Sequence, residues 1–463
     1  MKLNLLRKES LSRYLGVDKH FAKTMTAFDL VAMGVGAVIG TGIFILPGTV
    51  AANTAGPGVT LSFLFSAIVC ALAAMCYAEF SSALPVAGSA YSYGNVVFGE
   101  IFGWILGWAL ILEYMLAVAS VSTGWTAYFQ SLLAGFGIKM PQAIAGPFDP
   151  AHGTYINLTA IIIVLLITAM LSHGMQTSTR INNMAVVIKI AIIILFLATG
   201  VFFIRKANYH PFLPYGMKGV FRGSTTVFFA YLGFDAVSSS AAEVKNPKRN
   251  MPLGIIGTLV VATVLYMGVS VVLTGMAPYK KLDVANPVSF ALQLVHQNWL
   301  AGLISLGALI GMFTMMVTMT YSSSRLVYSI GRDGLLPSYL SELDETGTPQ
   351  HAVWTVGVLI ALLGGFVSLD QLTNLVNIGT LLAFTFVSFG IIPLRRRKDI
   401  GNRGGFKVPF YPVLPILSGL ACLAMMCLLS KETYIGAGIW FALGLVLYFS
   451  YGYRHSKINK NRA

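Results

Sequence analysis

The chain of 463 residues is dominated by apolar segments that are each long enough to cross a lipid bilayer. Hydrophobic residues make up 56% of it, charged residues only 10%, and the mean hydropathy is +0.75. A membrane-spanning helix needs about 20 mostly apolar residues. Segments near this length fall at 27–51, 59–83, 95–122, 156–173, 181–204, 220–242, 253–277, 300–329, 351–368, 374–394, 411–430 and 434–453. We therefore predict an all-α polytopic membrane protein with twelve transmembrane helices.

The basic residues are distributed unevenly along the chain. A net charge of +14 would by itself suit a nucleic-acid partner. With twelve spans, however, both termini lie on one side of the membrane, and most of the 31 Lys and Arg residues fall on that side. Cytoplasmic loops are enriched in Lys and Arg. We therefore predict a multi-pass protein of the cell membrane with cytoplasmic N- and C-termini and no nucleic-acid partner.

The predicted spans divide the chain into five parts. These are an N-terminal tail (1–26), a ten-helix core (27–394), a basic cytoplasmic loop (395–410), two C-terminal helices (411–453) and a C-terminal tail (454–463). The sequence has no Walker loop, HExxH helix or nucleophile elbow, and its four cysteines lack metal-ligand spacing. We predict that the protein is not an enzyme and that it uses no metal and no cofactor.

Two apolar segments contain glycine at the depth where a membrane helix should be most regular. The first carries GVGAVIGTGIF at 34–44, and the sixth carries FFAYLGFD at 228–235. Glycine weakens a helix interior, and lipid cannot hydrogen-bond the backbone groups of a broken helix, so such backbone must line an enclosed cavity. Two interrupted helices five spans apart are typical of inverted-repeat transporters. The alternative for 34–44 is close helix packing through small residues.

Two charged residues lie deep within predicted spans, Glu113 in the third and Lys189 in the fifth. A charge at that depth costs at least about 2.5–3.5 kcal/mol, so a functional role is the default expectation. Either group could change protonation during a transport cycle, and the alternative is a mutual structural ion pair. Asp235 is expected to form a hydrogen bond in helix packing or at a gate. Glu79 and Glu100 lie nearer the segment ends, where we expect the membrane interface.

Several motifs together resemble those of the amino acid–polyamine–organocation superfamily, and within it the bacterial relatives of the cationic amino acid transporter family. They are 34–44, YAEF at 77–80, PVAGSAY at 85–91, 228–236, EVKNP at 243–247 with MP at 251–252, SRL at 324–326, and RDGLLP at 332–337. The resemblance implies a LeuT-type fold, a five-plus-five inverted repeat with discontinuous helices 1 and 6, followed by two C-terminal helices.

The resemblance also implies a substrate site for an L-amino acid. Its carboxylate would contact backbone N–H groups at Ile39, Thr41 and Gly42. Its ammonium group would contact carbonyl oxygens at Phe229, Ala230 and Leu232, with Phe229 large enough to cover the pocket. Half-helix N-termini favour anions and unwound carbonyls favour cations, which agrees with this assignment.

Lys189 matches the position at which family members replace the sodium ion of related transporters by a lysine. Its ammonium could stand in for that ion when charged and release the helices when neutral, so protons are the predicted coupling partner. Glu113 would either join a hydrogen-bond network beside the pocket or face a cationic substrate. Met319 would close the far end of the pocket, and burying a guanidinium against it is costly. We therefore expect neutral, small or apolar amino acids, with arginine or lysine as the alternative.

Other functional classes fit the sequence less well. Exchange of one amino acid for another would use the same site with different kinetics. A transporter-like amino acid sensor would share the pocket, but we expect a signalling domain in such a protein, and the tails are short. A channel would need a continuous polar pore. Besides substrate and protons, membrane lipid is the expected partner, and the sequence leaves the oligomeric state open, with a monomer plausible.

Overall fold

The computed structural model describes residues 7–8, 23–86, 88–173, 179–345, 347–397 and 405–457. These residues form helices and connecting turns, and the described ranges contain no strand beyond three isolated bridges. Parts of the predicted tails 1–26 and 454–463, and of the loop 395–410, lie outside the described residues.

The helices are numbered in chain order. Those before residue 240 are α1 (Ala27–Val38), α2 (Thr41–Phe44), α3 (Leu46–Val50), α4 (Val59–Ala83), α5 (Ser89–Val97), α6 (Glu100–Gly135), α7 (Leu158–Ser172), α8 (Thr179–Gly200), α9 (Gly216–Val227) and α10 (Ala236–Ser239). Those that follow are α11 (Pro247–Met276), α12 (Pro287–Leu294), α13 (Asn298–Arg332), α14 (Gln350–Phe366), α15 (Leu369–Arg396), α16 (Val413–Cys427), α17 (Lys431–Leu447) and α18 (Tyr453–His455).

The apolar helices indicate a polytopic membrane protein. By length and composition, 7 helical stretches of the described chain can cross a membrane, and α1, α7, α14 and α16 are shorter apolar helices. The total of twelve spans stays a prediction. The third predicted segment, 95–122, begins inside α5, because α5 ends at Val97 and Gly99 adopts a φ of +123° before α6 begins.

Helix α1 lies in the middle of the fold, packed against α8, α11 and α13. Its contact with α11 is close: a Cβ atom added at Gly34 would lie 2.1 Å from Thr258 Oγ1. A larger side chain at this position would force the two helices apart. Helix packing therefore accounts for Gly34, while Gly40 and Gly42 lie where the helix is interrupted.

The segment before α1 is joined to the segment after α10 by backbone hydrogen bonds. The N–H groups of Thr24 and Met25 donate to the Glu243 carbonyl oxygen at 3.0 and 3.1 Å. The Lys245 N–H donates to the Met25 carbonyl oxygen at 2.9 Å. These bonds form the short parallel pairing between Met25 and Val244, which links the outer ends of two helices that are more than 200 residues apart in sequence.

The two tails meet at the start of α6. Arg7 forms an ion pair with Glu100 at 2.7 Å, and the hydroxyls of Tyr448 and Ser456 donate to the same carboxylate. Glu100 is fully buried within the protein, and the expectation that it lies at the membrane interface stays a prediction. A buried carboxylate is normally paired, and here the pairing holds both ends of the described chain together.

Glu79 is also buried within the protein, and its expected position at the membrane interface likewise stays a prediction. Its two carboxylate oxygens accept hydrogen bonds from Nε and an Nη atom of Arg395, each at 2.7 Å. The Val408 N–H donates to the same carboxylate at 2.6 Å. This bidentate pair, which is stronger than a simple ion contact, attaches the end of α15 and the loop that follows it to α4.

Candidate functional site

The first glycine stretch interrupts its helix in the centre of the fold. Helix α1 ends at Val38, and Ile39 is extended, with φ −81° and ψ 98°. Gly40 follows with φ −134° and ψ −132°, and the chain becomes helical again at Thr41. The first N–H groups of a helix have no acceptor within that helix, so the turn at Thr41 and Gly42 directs backbone donors into the gap. We call residues 39–42 the first break.

The second glycine stretch is interrupted in the same way. Helix α9 ends at Val227, a 3-10 turn covers Phe228–Tyr231, and Leu232 is extended with ψ 143°. Gly233 then adopts a φ of +109°, which L side chains rarely adopt. The chain becomes helical again only at Ala236. We call residues 229–235 the second break, and its carbonyl groups lie outside a regular α-helical ladder.

The two breaks touch each other. A Cβ atom added at Gly42 would lie 2.6 Å from Ala230 Cβ and 2.7 Å from Ala230 Cα, so only glycine allows this approach. Met319 of α13 closes on the second break, because a Cβ atom added at Gly233 would lie 2.6 Å from its methyl carbon. The predicted residues Ile39, Thr41, Gly42, Phe229, Ala230, Leu232 and Met319 are all buried.

Tyr266 of α11 bridges the last residue of α1, just before the first break, and the second break; sequence analysis did not identify it. Its hydroxyl lies 3.0 Å from the Val38 carbonyl oxygen and 2.6 Å from the Ala230 carbonyl oxygen. A phenol has one hydrogen to donate, so the two carbonyl groups compete for it. The signal in the sequence was a tyrosine within an apolar span, since a buried tyrosine hydroxyl usually has a partner.

Lys189 of α8 contacts the backbone at the first break. Its ammonium nitrogen donates to the carbonyl oxygens of Gly36 at 3.1 Å and Ile39 at 2.7 Å. The side chain is fully buried, and a Cβ atom added at Gly311 would lie 2.9 Å from its Cε atom. Within the described ranges no carboxylate forms an ion pair with Lys189, so the alternative of a mutual ion pair with Glu113 is not observed among these residues.

Glu113 of α6 is fully buried. Neither of its carboxylate oxygens has a hydrogen-bond partner among the described residues. The next residue, Tyr114, donates from its hydroxyl to Asp235 Oδ2 at 3.1 Å. Asp235 therefore forms the hydrogen bond expected of it.

A cavity of about 230 Å³ lies beside the breaks, between α13, α6 and the chain after α10. Its wall includes Met33, Tyr114, Tyr321, Glu243 and Arg325, but none of the predicted substrate-contacting residues. Glu243 and Arg325 lie 3.5 Å apart and are each about one-third exposed. The cavity is large enough for a small solute.

Comparison with known proteins relates this arrangement to a family. Residues 25–449 match the model of the family described as amino acid permease. The chain is 49% identical to a methylthioribose transporter and 45% identical to the branched-chain amino acid permease BcaP, both of Bacillus subtilis, over 99% of its length and 100% of theirs. It is 38% identical to cationic amino acid transporter 3, mitochondrial, of Arabidopsis thaliana, over 81% of the chain and 63% of that protein.

These relatives are membrane transporters and not enzymes. The match covers both breaks, Lys189, Glu113 and Met319. The chain belongs to the amino acid permease family, within the amino acid–polyamine–organocation superfamily of transporters.

Proposed function

We propose that the protein is a secondary active transporter that takes up neutral, small or apolar L-amino acids together with protons by alternating access. The observation that carries the proposal is the contact between two broken helices in the centre of the fold, held by Tyr266. Irregular backbone at membrane depth occurs where it lines a path for a polar solute.

The backbone at the two breaks suits both charged ends of an amino acid. The N–H groups of Ile39, Thr41 and Gly42 would donate to the carboxylate. The carbonyl oxygens of Phe229, Ala230 and Leu232 would accept from the ammonium group. The Ala230 oxygen already lies 2.6 Å from the Tyr266 hydroxyl, but a carbonyl oxygen has two lone pairs and can accept a second hydrogen bond. A zwitterion would thus be bound by dipoles, without a charged side chain.

The substrate side chain would meet an apolar wall. Met319 is fully buried against the second break, and it offers no partner to a guanidinium or an ammonium group. Neither Glu113 oxygen forms a hydrogen bond with a described residue of either break, so we assign Glu113 no direct role in binding a cationic substrate. Neutral substrates are therefore favoured over arginine and lysine.

Lys189 is the proposed coupling residue. Its charged ammonium group binds two carbonyl oxygens on the first broken helix, which is the role a bound cation would play there. Loss of its proton would remove the charge from both hydrogen bonds and loosen α1 from α8. Substrate binding and proton binding would then act on the same helix.

The packing of the helices supports the five-plus-five inverted repeat. If α1, α4, α6, α7 and α8 correspond to α9, α11, α13, α14 and α15, each contact should have a counterpart with the partners exchanged. Helix α1 packs against α11 and α9 against α4, while α6 packs against α15 and α13 against α8. The corresponding helices α4 and α11, α6 and α13, and α7 and α14 also pack together.

The contacts of the tails support the proposed topology. Arg7 and Ser456 bind the same carboxylate, so both tails lie on one side of the membrane and the number of crossings between them is even. We propose that this side is the cytoplasm of a cell membrane, with spans in the core 27–394 and in 411–453.

Uptake into proteoliposomes tests the proposal. Purified protein should accumulate radiolabelled leucine or alanine faster when an inward proton gradient is imposed, and arginine should be taken up less well. Lys189→Met should abolish the acceleration by the gradient, whereas the matched change Lys280→Met, at an exposed loop residue, should leave it intact. Full acceleration in Lys189→Met, or faster uptake of arginine than of leucine, would contradict the proposal. Counterflow with and without the gradient separates symport from exchange.

A second candidate substrate is a thiosugar. The 49% identical relative that matches the chain from end to end is named for methylthioribose, which is uncharged. The same breaks offer donors and acceptors to sugar hydroxyls. Unlabelled methylthioribose should compete poorly with leucine if the amino acid is the substrate, and competition at lower concentration than leucine itself would favour the sugar.

A further inference from the structure

The cavity of about 230 Å³ lies between the breaks and the tails of the chain. Its wall includes Met33, six residues before the first break, and Arg325 of α13. Arg325 follows Met319, which contacts the second break, by six residues, or about 9 Å along a helix. Beyond the end of α13, the Asp333 carbonyl oxygen accepts a hydrogen bond from the N–H of Lys457 in the C-terminal tail. A molecule that leaves the breaks towards the tails therefore passes through this cavity.

Two side chains of opposite charge belong to the wall of the cavity. The Glu243 carboxylate and the Arg325 guanidinium lie 3.5 Å apart, and each side chain is about one-third exposed. The carboxylates of Glu79 and Glu100 differ from this arrangement, because their ion pairs are 2.7 Å long and both side chains are almost fully buried. An ion pair that solvent reaches contributes little to stability. The contact between Glu243 and Arg325 therefore opens at little cost.

An amino acid zwitterion can replace this contact, because it carries one charge of each sign. Its ammonium group would bind the Glu243 carboxylate, and its carboxylate would bind the Arg325 guanidinium, whose planar set of N–H groups matches a carboxylate. Two ion pairs then replace one, and the net charge of the cavity is unchanged. The guanidinium carbon of Arg325 lies 4.9 Å from the ring centroid of Tyr321, another residue of the wall. This cation–π contact holds the guanidinium in place when its acidic partner changes.

The rest of the wall suits an uncharged side chain. Met33, Leu110 and Leu326 supply apolar surface. Among the described residues of the wall, Arg332 is the third charged one, and its guanidinium lies 3.7 Å from the carboxylate of its neighbour Asp333. The charge of Arg332 is therefore balanced beside it, and Glu243 and Arg325 are the groups that receive the two ends of a zwitterion.

We propose that this cavity is a second binding site for the transported amino acid, on its path between the breaks and the tails, with Glu243 binding the ammonium group and Arg325 binding the carboxylate. The inference rests on the proposed function for the identity of the ligand, and it adds a site to that function. The two sites differ in chemistry, because the breaks would bind the charged groups through backbone dipoles and the cavity through side chains. Substitutions of the two side chains therefore act on the second site without altering either break.

Equilibrium dialysis of the purified full-length protein against radiolabelled leucine, carried to saturation, counts the molecules bound per chain. We expect two in the unmodified protein and one in Glu243→Gln and in Arg325→Gln. Two should remain in the matched controls Glu432→Gln and Arg205→Gln, which change exposed residues outside the cavity. Glu243→Arg combined with Arg325→Glu returns both charges to the cavity and should restore the second molecule, which a merely structural defect would not allow.

One molecule per chain in the unmodified protein, or two in both single variants, overturns the proposal. If the single variants fail to fold, the combined variant decides, since one bound molecule in that protein contradicts the proposal and two support it. Gly42→Ala separates this inference from the proposed function. A single molecule whose affinity falls in Gly42→Ala refutes the second site and leaves the proposed function standing. Two molecules whose affinities are both unchanged in Gly42→Ala, one of them lost in the cavity variants, refute binding at the breaks and support the second site.

Discussion

The close approach of the two breaks makes Gly42→Ala the most informative single change. The added Cβ atom would lie 2.6 Å from Ala230 Cβ and 2.7 Å from Ala230 Cα, whereas ordinary contacts begin at 3.4 Å. The difference between 3.4 and 2.6 Å means that the two breaks must separate by about 0.8 Å. One of the two opposing atoms belongs to the backbone, so a change of rotamer cannot relieve the clash.

Overpacking of this kind costs about 1–3 kcal/mol. If the cost falls on the substrate-bound conformation, where both breaks must fit one small molecule, affinity should fall about 5- to 150-fold, since 1.4 kcal/mol corresponds to a factor of ten. Isothermal titration of the purified protein with leucine measures this directly. Ala230→Gly added to Gly42→Ala removes only one of the two clashing atoms, so we expect it to restore part of the affinity.

Gly302→Ala is the matched control, because an added Cβ atom there has nothing within 4 Å. It should leave affinity unchanged and, as a Gly to Ala change in a helix, raise stability by up to about 1 kcal/mol. Unchanged leucine affinity in a folded Gly42→Ala protein would show that the two breaks do not form the binding site.

Two further predictions concern side chains that hold the fold together. Tyr266→Phe should lower the free energy of unfolding by about 1–3 kcal/mol, because it leaves the Val38 and Ala230 carbonyl groups without this donor; thermal unfolding in detergent measures it, and no loss relative to the exposed-residue control Tyr339→Phe would contradict it. Glu79→Gln should lower the same free energy by about 2–3 kcal/mol by breaking the bidentate pair with Arg395. That loss should persist at high salt because the carboxylate is buried. If Glu79→Gln and the unmodified protein were equally stable at the same high salt concentration, the prediction would be wrong.

The positions of the two breaks could be predicted because glycine acts locally. The stretch 34–44 places Gly40 within the first interruption, and 228–235 places Gly233 at a positive φ. Glycine in the middle of an apolar segment departs from the composition of a regular membrane helix, and the local sequence alone reveals it. The backbone angles of the structure confirm the interruption at both places.

The partners of the breaks could not be predicted in the same way. Tyr266 lies 228 residues from Val38, and nothing near it in sequence indicates which carbonyl group its hydroxyl reaches. The same limit applies to Glu113. Its depth predicts a functional role, but only the tertiary arrangement shows that Lys189 donates to backbone carbonyl oxygens and not to Glu113. Buried polar groups are paired by the packing of whole helices, which a single segment does not encode.

The backbone pairing of Thr24 and Met25 with Glu243 and Lys245 has a mechanical consequence. It joins the segment before α1 to the segment after α10. Each of these segments is connected to a helix that is interrupted at its own break. Unless these three bonds open, a tilt of α1 drags the chain after α10 with it. A substrate bound at both breaks through its two charged groups would therefore lose both sets of contacts in the same movement, and its release would be a single step.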